Sequence, residues 1–259
     1  MNAAGEERRL PDSVAGLVAF AASAWAANAT LYVALALGVF AACAVVEYVI
    51  PGAELTTPLG QFKLFVLQFT ELFGLALAIA AGALGVAARA AGLSPQSAAL
   101  AGGAVERWLP VIAVTFLAQT IVQLTGPASG LGAIPEPRAM VFLTAPLVWI
   151  LWGVLAMSGP LVALSRHPSG GSVLGGFIRA FAVSLRRTNA LRLCGLALVV
   201  VLPTVVEELL RPVLVQQHVG RPIFWAYIPI DVLTVGPVTA LLTAFALDFV
   251  RRAEDQRSA

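Results

Sequence analysis

Six long apolar stretches dominate this chain, roughly 28–49, 62–88, 109–124, 140–164, 193–210 and 223–250. A helix needs about 20 apolar residues to cross about 30 Å of hydrocarbon, and these stretches are of that order. The third and fifth are short and borrow residues from their flanks. Turn formers separate them: Pro51-Gly52, Gly92 with Pro95, Gly126-Pro127, Pro135 and Pro137, Pro168 through Gly171, and Pro212. Each falls where a spanning helix should stop. The chain is 59% hydrophobic and only 12% charged, with a mean hydropathy of +0.88. A soluble domain carries about 25% charge, so this one has half of what a water-exposed globule needs. A cytosolic enzyme, a disordered regulator and a secreted disulfide scaffold are thereby excluded. The expected fold is all-α integral membrane, with six transmembrane helices in a single membrane domain over 1–259.

Charge sets the orientation. A formal net charge of +2 is too small to imply a nucleic-acid partner. With the N-terminus inside, twelve basic residues fall in cytoplasmic segments (among them Arg8, Arg9, Arg89, Arg107, Arg192, Arg251 and Arg252). Four fall outside: Lys63, Arg138, Arg211 and Arg221. The positive-inside rule therefore places both termini in the cytoplasm. Arg8-Arg9, the apolar run 14–25 and Ala27-Asn28-Ala29 share the layout of a secretory signal. The apolar residues run straight on into a second long stretch, which favours a retained segment. Cys43 and Cys194 lie in apolar runs and form no metal-ligand pattern.

Self-similarity is the most informative pattern. At an offset of 161, Phe20, Ala21, Ser23, Asn28, Leu35, Ala36 and Leu37 are identical to Phe181, Ala182, Ser184, Asn189, Leu196, Ala197 and Leu198. Ahead of this, Val14, Leu17, Val18, Ala21 and Trp25 match Leu174, Phe177, Ile178, Phe181 and Leu185 at an offset of 160. Their spacing is one face of a helix. A weaker copy (Ser97, Leu100, Ala101, Ala104 and Trp108) precedes the third stretch. The chain reads as three units, about 13–92, 95–168 and 172–252. Each is an interfacial amphipathic helix followed by a helical hairpin. The amphipathic helices lie on the Arg-rich side, where such segments rest in the lipid interface. Arg179, Arg186 and Arg187 of the third can contact anionic lipid headgroups.

With its units starting at Ser13, Pro95 and Ser172, and with Trp25-Ala-Ala-Asn28 and Arg187-Thr-Asn189 at the junctions, the chain resembles the glycerophosphoryl diester phosphodiesterase membrane-domain superfamily, which includes YciC-like six-span inner-membrane proteins. The likeness is one of layout over nearly the whole chain. In that superfamily the phosphodiesterase belongs to a separate soluble domain, for which this chain has no room after Val250. The resemblance therefore implies a stand-alone membrane module, and it implies no catalytic residues.

Acids inside apolar stretches are expensive, at about 2.5–3.5 kcal/mol each, and default to function. Glu47 ends the first stretch, Glu71 lies inside the second, Glu207-Glu208 end the fifth and Asp231 lies inside the sixth. The repeat relates Glu47 to Glu208 and Glu71 to Asp231, placing acids at matching depths on the outer half. Gln68 joins a seven-residue polar spacing through Gln61, Gly82 and Arg89, and Tyr227 and Thr234 flank Asp231. One reading is an outer-facing polar cavity, formed by Glu47, Glu71, Glu208, Asp231, Gln68 and Tyr227, for a cation, a proton or a polar headgroup. The other is structural: acids that pin helices together, paired with Lys63, Arg211 or Arg221.

No enzyme motif accompanies these acids. Glu207-Glu208-Leu-Leu-Arg211 is similar to the Glu-Glu-x-x-x-Arg of CAAX-type intramembrane proteases, but its arginine comes one residue early and no histidine is suitably placed. HExxH, Walker A and GxSxG patterns are absent from the sequence. The expectation is a non-enzymatic protein without cofactor or metal, membrane-organising or lipid-associated, with membrane lipids as partners. The alternative is a carrier or channel that uses the acidic cavity.

Overall fold

The computed structural model describes residues 10–51, 57–94, 96–125, 138–165, 171–186, 189, 192–193, 195–196, 225 and 227–258. Seven helices make up this part, and no strand occurs among the described residues. In chain order they are α1 (Val14–Ala26), α2 (Ala29–Val49), α3 (Pro58–Ala90), α4 (Ser97–Thr125), α5 (Arg138–Ala163), α6 (Gly171–Ser184) and α7 (Tyr227–Ser258).

Local chemistry fixes their ends. The Ser13 hydroxyl accepts from the Gly16 amide at 3.1 Å, and Thr57 accepts from Gly60 at 3.1 Å. Each side chain satisfies an amide that a helix start leaves unpaired. Pro58 occupies the first turn of α3, where its missing N–H costs nothing. At the far end of α3, Gly92 adopts φ 72°, a left-handed conformation that glycine enters without a Cβ penalty.

Four segments are long and apolar enough to cross a membrane: Ala29–Val49, Pro58–Ala90, Ser97–Ala118 and Ile228–Arg252. They correspond to the first, second, third and sixth apolar stretches. The fourth stretch coincides with α5, and the fifth lies largely outside the described residues, as does Cys194.

α3 is the centre of the bundle, packed against α1, α2, α4, α5 and α7. Its residues from Gly74 to Ala83 are buried all the way round. Most are alanine or glycine, and small side chains let neighbouring backbones approach. Gly82 shows why: a Cβ there would lie 3.0 Å from Thr239 Cγ2 on α7 and 3.4 Å from the Tyr32 hydroxyl on α2. Gly74 meets Val232 and Gly82 meets Thr239, so α3 and α7 run side by side in the same direction.

The short helices repay comparison. Leu17 and Phe177 are buried while Val14, Val18, Leu174 and Ile178 are exposed, so α6 reproduces the burial pattern of α1 at an offset of 160. Beyond each helix an asparagine sits fully buried in a turn. Asn28 N donates to Trp25 O at 2.9 Å, and Asn189 N donates to Arg186 O at 2.8 Å. Leu31 N and Leu193 N then donate back to the carbonyls of Asn28 and Asn189.

The middle segment differs. There, surface helix and apolar stretch form the single unbroken helix α4. Val111, within it, is buried and helical. Pro110 inside α4 removes one backbone donor without ending the helix.

Candidate functional site

At the Glu47 end of the bundle, the α2–α3 hairpin brings two charges together. Glu47 lies in the last turn of α2 and Lys63 in the second turn of α3. Lys63 Nζ stands 2.6 Å from Glu47 Oε2 and is almost fully buried. A buried ammonium is tolerable only with a partner, and Glu47 supplies it. Trp225, just ahead of α7, donates from Nε1 to the same carboxylate oxygen at 3.2 Å. The Phe40 ring holds the indole in place, with centroids 5.4 Å apart. Of the partners the sequence offers to these acids, Glu47 takes Lys63.

Two turns further along α3, on the face that carries Lys63 and Leu67, lies Glu71. It is half-buried and within electrostatic reach of Cys43 on α2. Asp231 on α7 is also half-buried and directly precedes Val232, which packs on Gly74 one turn beyond Glu71. The two acids thus occupy the same level of neighbouring, co-directional helices. Both have interactions with surrounding groups. The Thr234 hydroxyl caps the Asp231 carbonyl at 3.1 Å.

Gln68 does not join this group. It is exposed, whereas Leu67 beside it is buried. The seven-residue stripe does not share one environment, because α3 is enclosed on every side from Gly74 to Ala83 but covered on only part of its surface before that. Gln61 and Gln68 lie on the open side of the partly covered stretch, while Gly82 lies in the enclosed one. Tyr227 begins α7, but its side chain lies outside the described residues, as does all of Glu208.

At the opposite, Arg-rich end, Arg179 on α6 is exposed and Arg186 half-exposed; Arg187 lies outside the described residues. Leu174, Ile178 and Leu185 are exposed beside them. Phe177, Ala180 and Ser184 turn inward onto the bundle.

The densest charge cluster is one that sequence reasoning missed. Asp248, in α7, is completely buried and holds three arginines. Arg192 Nη1 donates to its Oδ2, Arg251 Nη2 to Oδ1 at 2.7 Å, and Arg252 Nε to Oδ2 at 2.9 Å. The same guanidinium groups bind the segment before α1. Arg251 reaches Leu10 O at 2.8 Å and Asp12 Oδ1 at 2.8 Å, while Arg192 and Arg252 reach Asp12 O at 3.2 and 3.3 Å. A local signal was present, since Asp248 precedes Arg251 and Arg252 by three and four residues on one helix face. The contribution of Arg192, distant in sequence, carried none. No family pattern, no curated protein and no solved structure matches this chain.

Proposed function

We propose that this is a non-enzymatic protein of the inner (plasma) membrane that organises or associates with lipid. In this reading it crosses the membrane six times with both termini in the cytoplasm. Three units of interfacial helix plus hairpin build it, in the manner of the membrane-domain superfamily that its layout resembles. The matched burial of α1 and α6 and the paired asparagine turns support the repeat.

The observation that carries the functional reading is the Glu47–Lys63 pair. An acid that already has a buried ammonium at 2.6 Å and an indole donor is a fastener between helices. Exposed apolar residues beside Arg179 on α6 fit a helix lying in the acyl boundary with its cations among headgroups.

A second reading, a carrier or channel, draws on Glu71 and Asp231, two acids at one level of adjacent helices. Proteoliposome flux separates the two. The protein should pass no ion or proton faster than empty vesicles, and Glu71→Gln with Asp231→Asn should leave fold and lipid retention intact. An ion- or proton-dependent flux that vanishes in the double variant would establish the carrier instead.

A further inference from the structure

Between the last turns of α3 and the first turns of α4 lies an open groove of about 370 Å³. Leu84, Ala88, Leu93 and Leu100 line most of it. Ser94 and Gln96 edge the α3–α4 turn, and Arg107 closes the α4 side. Gly103 shapes the floor: a Cβ there would come within 2.9 Å of Leu84 Cδ1 and 3.5 Å of Arg107 Nη1.

Arg107 is the informative residue. Its Nη1 donates to Gly103 O at 3.1 Å, and the exposed Glu106 carboxylate approaches the same nitrogen at 3.5 Å. Its Nε is buried and meets no acceptor among the described residues. A guanidinium offers five donors in a rigid fork suited to phosphate oxygens. Nε itself is covered by protein, but the Arg107 side chain is partly exposed and lines the groove, so its accessible guanidinium edge can donate to an occupant's oxygens.

We propose that this groove seats one anionic phospholipid, its phosphate on Arg107 and its first methylenes along Leu84, Ala88, Leu93 and Leu100. The volume suits the glycerophosphate and proximal chain carbons, the remaining chain lying in the bilayer. Charge complementarity selects the anionic lipid: Arg107 is the formal cation among the groove's lining residues and faces an otherwise apolar trough. The inference rests on the lipid-associated reading and gives it a specific seat.

Native mass spectrometry of the full chain in detergent tests it, with dioleoylphosphatidylglycerol, dioleoylphosphatidylcholine or inorganic phosphate added. Wild type should retain phosphatidylglycerol over phosphatidylcholine, with no competition from phosphate at equal concentration. Arg107→Gln should weaken phosphatidylglycerol by about tenfold, the scale of one charge-assisted hydrogen bond, and leave phosphatidylcholine unchanged. Ala99→Trp, introduced at an exposed position on the groove, should block both lipids. Phosphatidylglycerol bound as in wild type by Arg107→Gln or by Ala99→Trp overturns the groove, and so does full competition by phosphate. If the preference persists in those variants but disappears in Arg179→Gln/Arg186→Gln, the lipid-associated reading survives without this seat. A wild type with no lipid preference removes both.

Discussion

Asp248 and Arg192 meet across 56 residues of sequence, a buried carboxylate and a guanidinium from the start of the fifth apolar stretch. Around them Arg251, Arg252, Leu10 and Asp12 complete a knot that ties three parts of the chain at one end of the bundle. Removing the carboxylate leaves three cations facing one another. Asp248→Ala should therefore cost about 3–5 kcal/mol, the scale for breaking a buried ion pair from one side. Arg252→Gln should cost less, because Arg192 and Arg251 still satisfy Asp248. Unfolding in detergent, followed by circular dichroism, measures both. Equal stability of Asp248→Ala and wild type would show that the knot contributes nothing.

The Glu47–Lys63 pair calls for a double-mutant cycle. Lys63→Met leaves a carboxylate without its ammonium, and Glu47→Gln leaves a buried ammonium without its carboxylate. Each single change should destabilise, and the double variant should recover part of the loss. A coupling energy of about 0.5–3 kcal/mol is expected. Strict additivity would mean that the pair is not a fastener, and would weaken the functional reading built on it.

Close approach between α2 and α7 depends on Gly236. A Cβ there would meet Tyr32 Cδ1 at 2.9 Å, Cε1 at 3.0 Å and Trp25 Nε1 at 3.1 Å. Gly236→Ala should cost about 1–3 kcal/mol by overpacking. Gly38→Ala, on an exposed face of α2 with nothing within 4 Å, should not destabilise. A shift in melting temperature common to both would point to helix propensity in place of packing.

Asn28 joins the first turn to the next helix pair. Its Oδ1 accepts from Ser97 Oγ at 3.3 Å, and its Nδ2 reaches Ala24 O at 3.4 Å, in a site without solvent exposure. Asn28→Ala should lose about 1–3 kcal/mol, since Ser97 loses its acceptor. Ser97→Ala on top of it should add little. If the two losses sum, the hydrogen bond between them is not the link.

Much of this architecture could be read from residue order, because its causes are local. The extent of α2 follows from its apolar run, and the end of α3 from Gly92 and the apolar run before it. The matching faces of α1 and α6 follow from apolar spacing alone. Contacts decided in three dimensions were less legible. Lys63 as the partner of Glu47 was one of three cations in reach on paper, and hairpin geometry selects it. Gln68 was grouped with the acids by a seven-residue count, but that stretch of α3 is covered only on the Lys63–Leu67 side and Gln68 lies on the open one. α4 runs unbroken where the sequence suggests a surface helix followed by a separate span. Asp248 was overlooked because its burial depends on α1 and Arg192, which no short window of sequence contains.

The knot around Asp248 also orders events in time. Leu10 and Asp12 leave the ribosome before any of the helices, whereas Arg251 and Arg252 emerge only as α7 is finished. α1 can pack on α3 early, but Arg251 and Arg252, which bind the segment before it, are made only with α7. The knot can close only once α7 has been made.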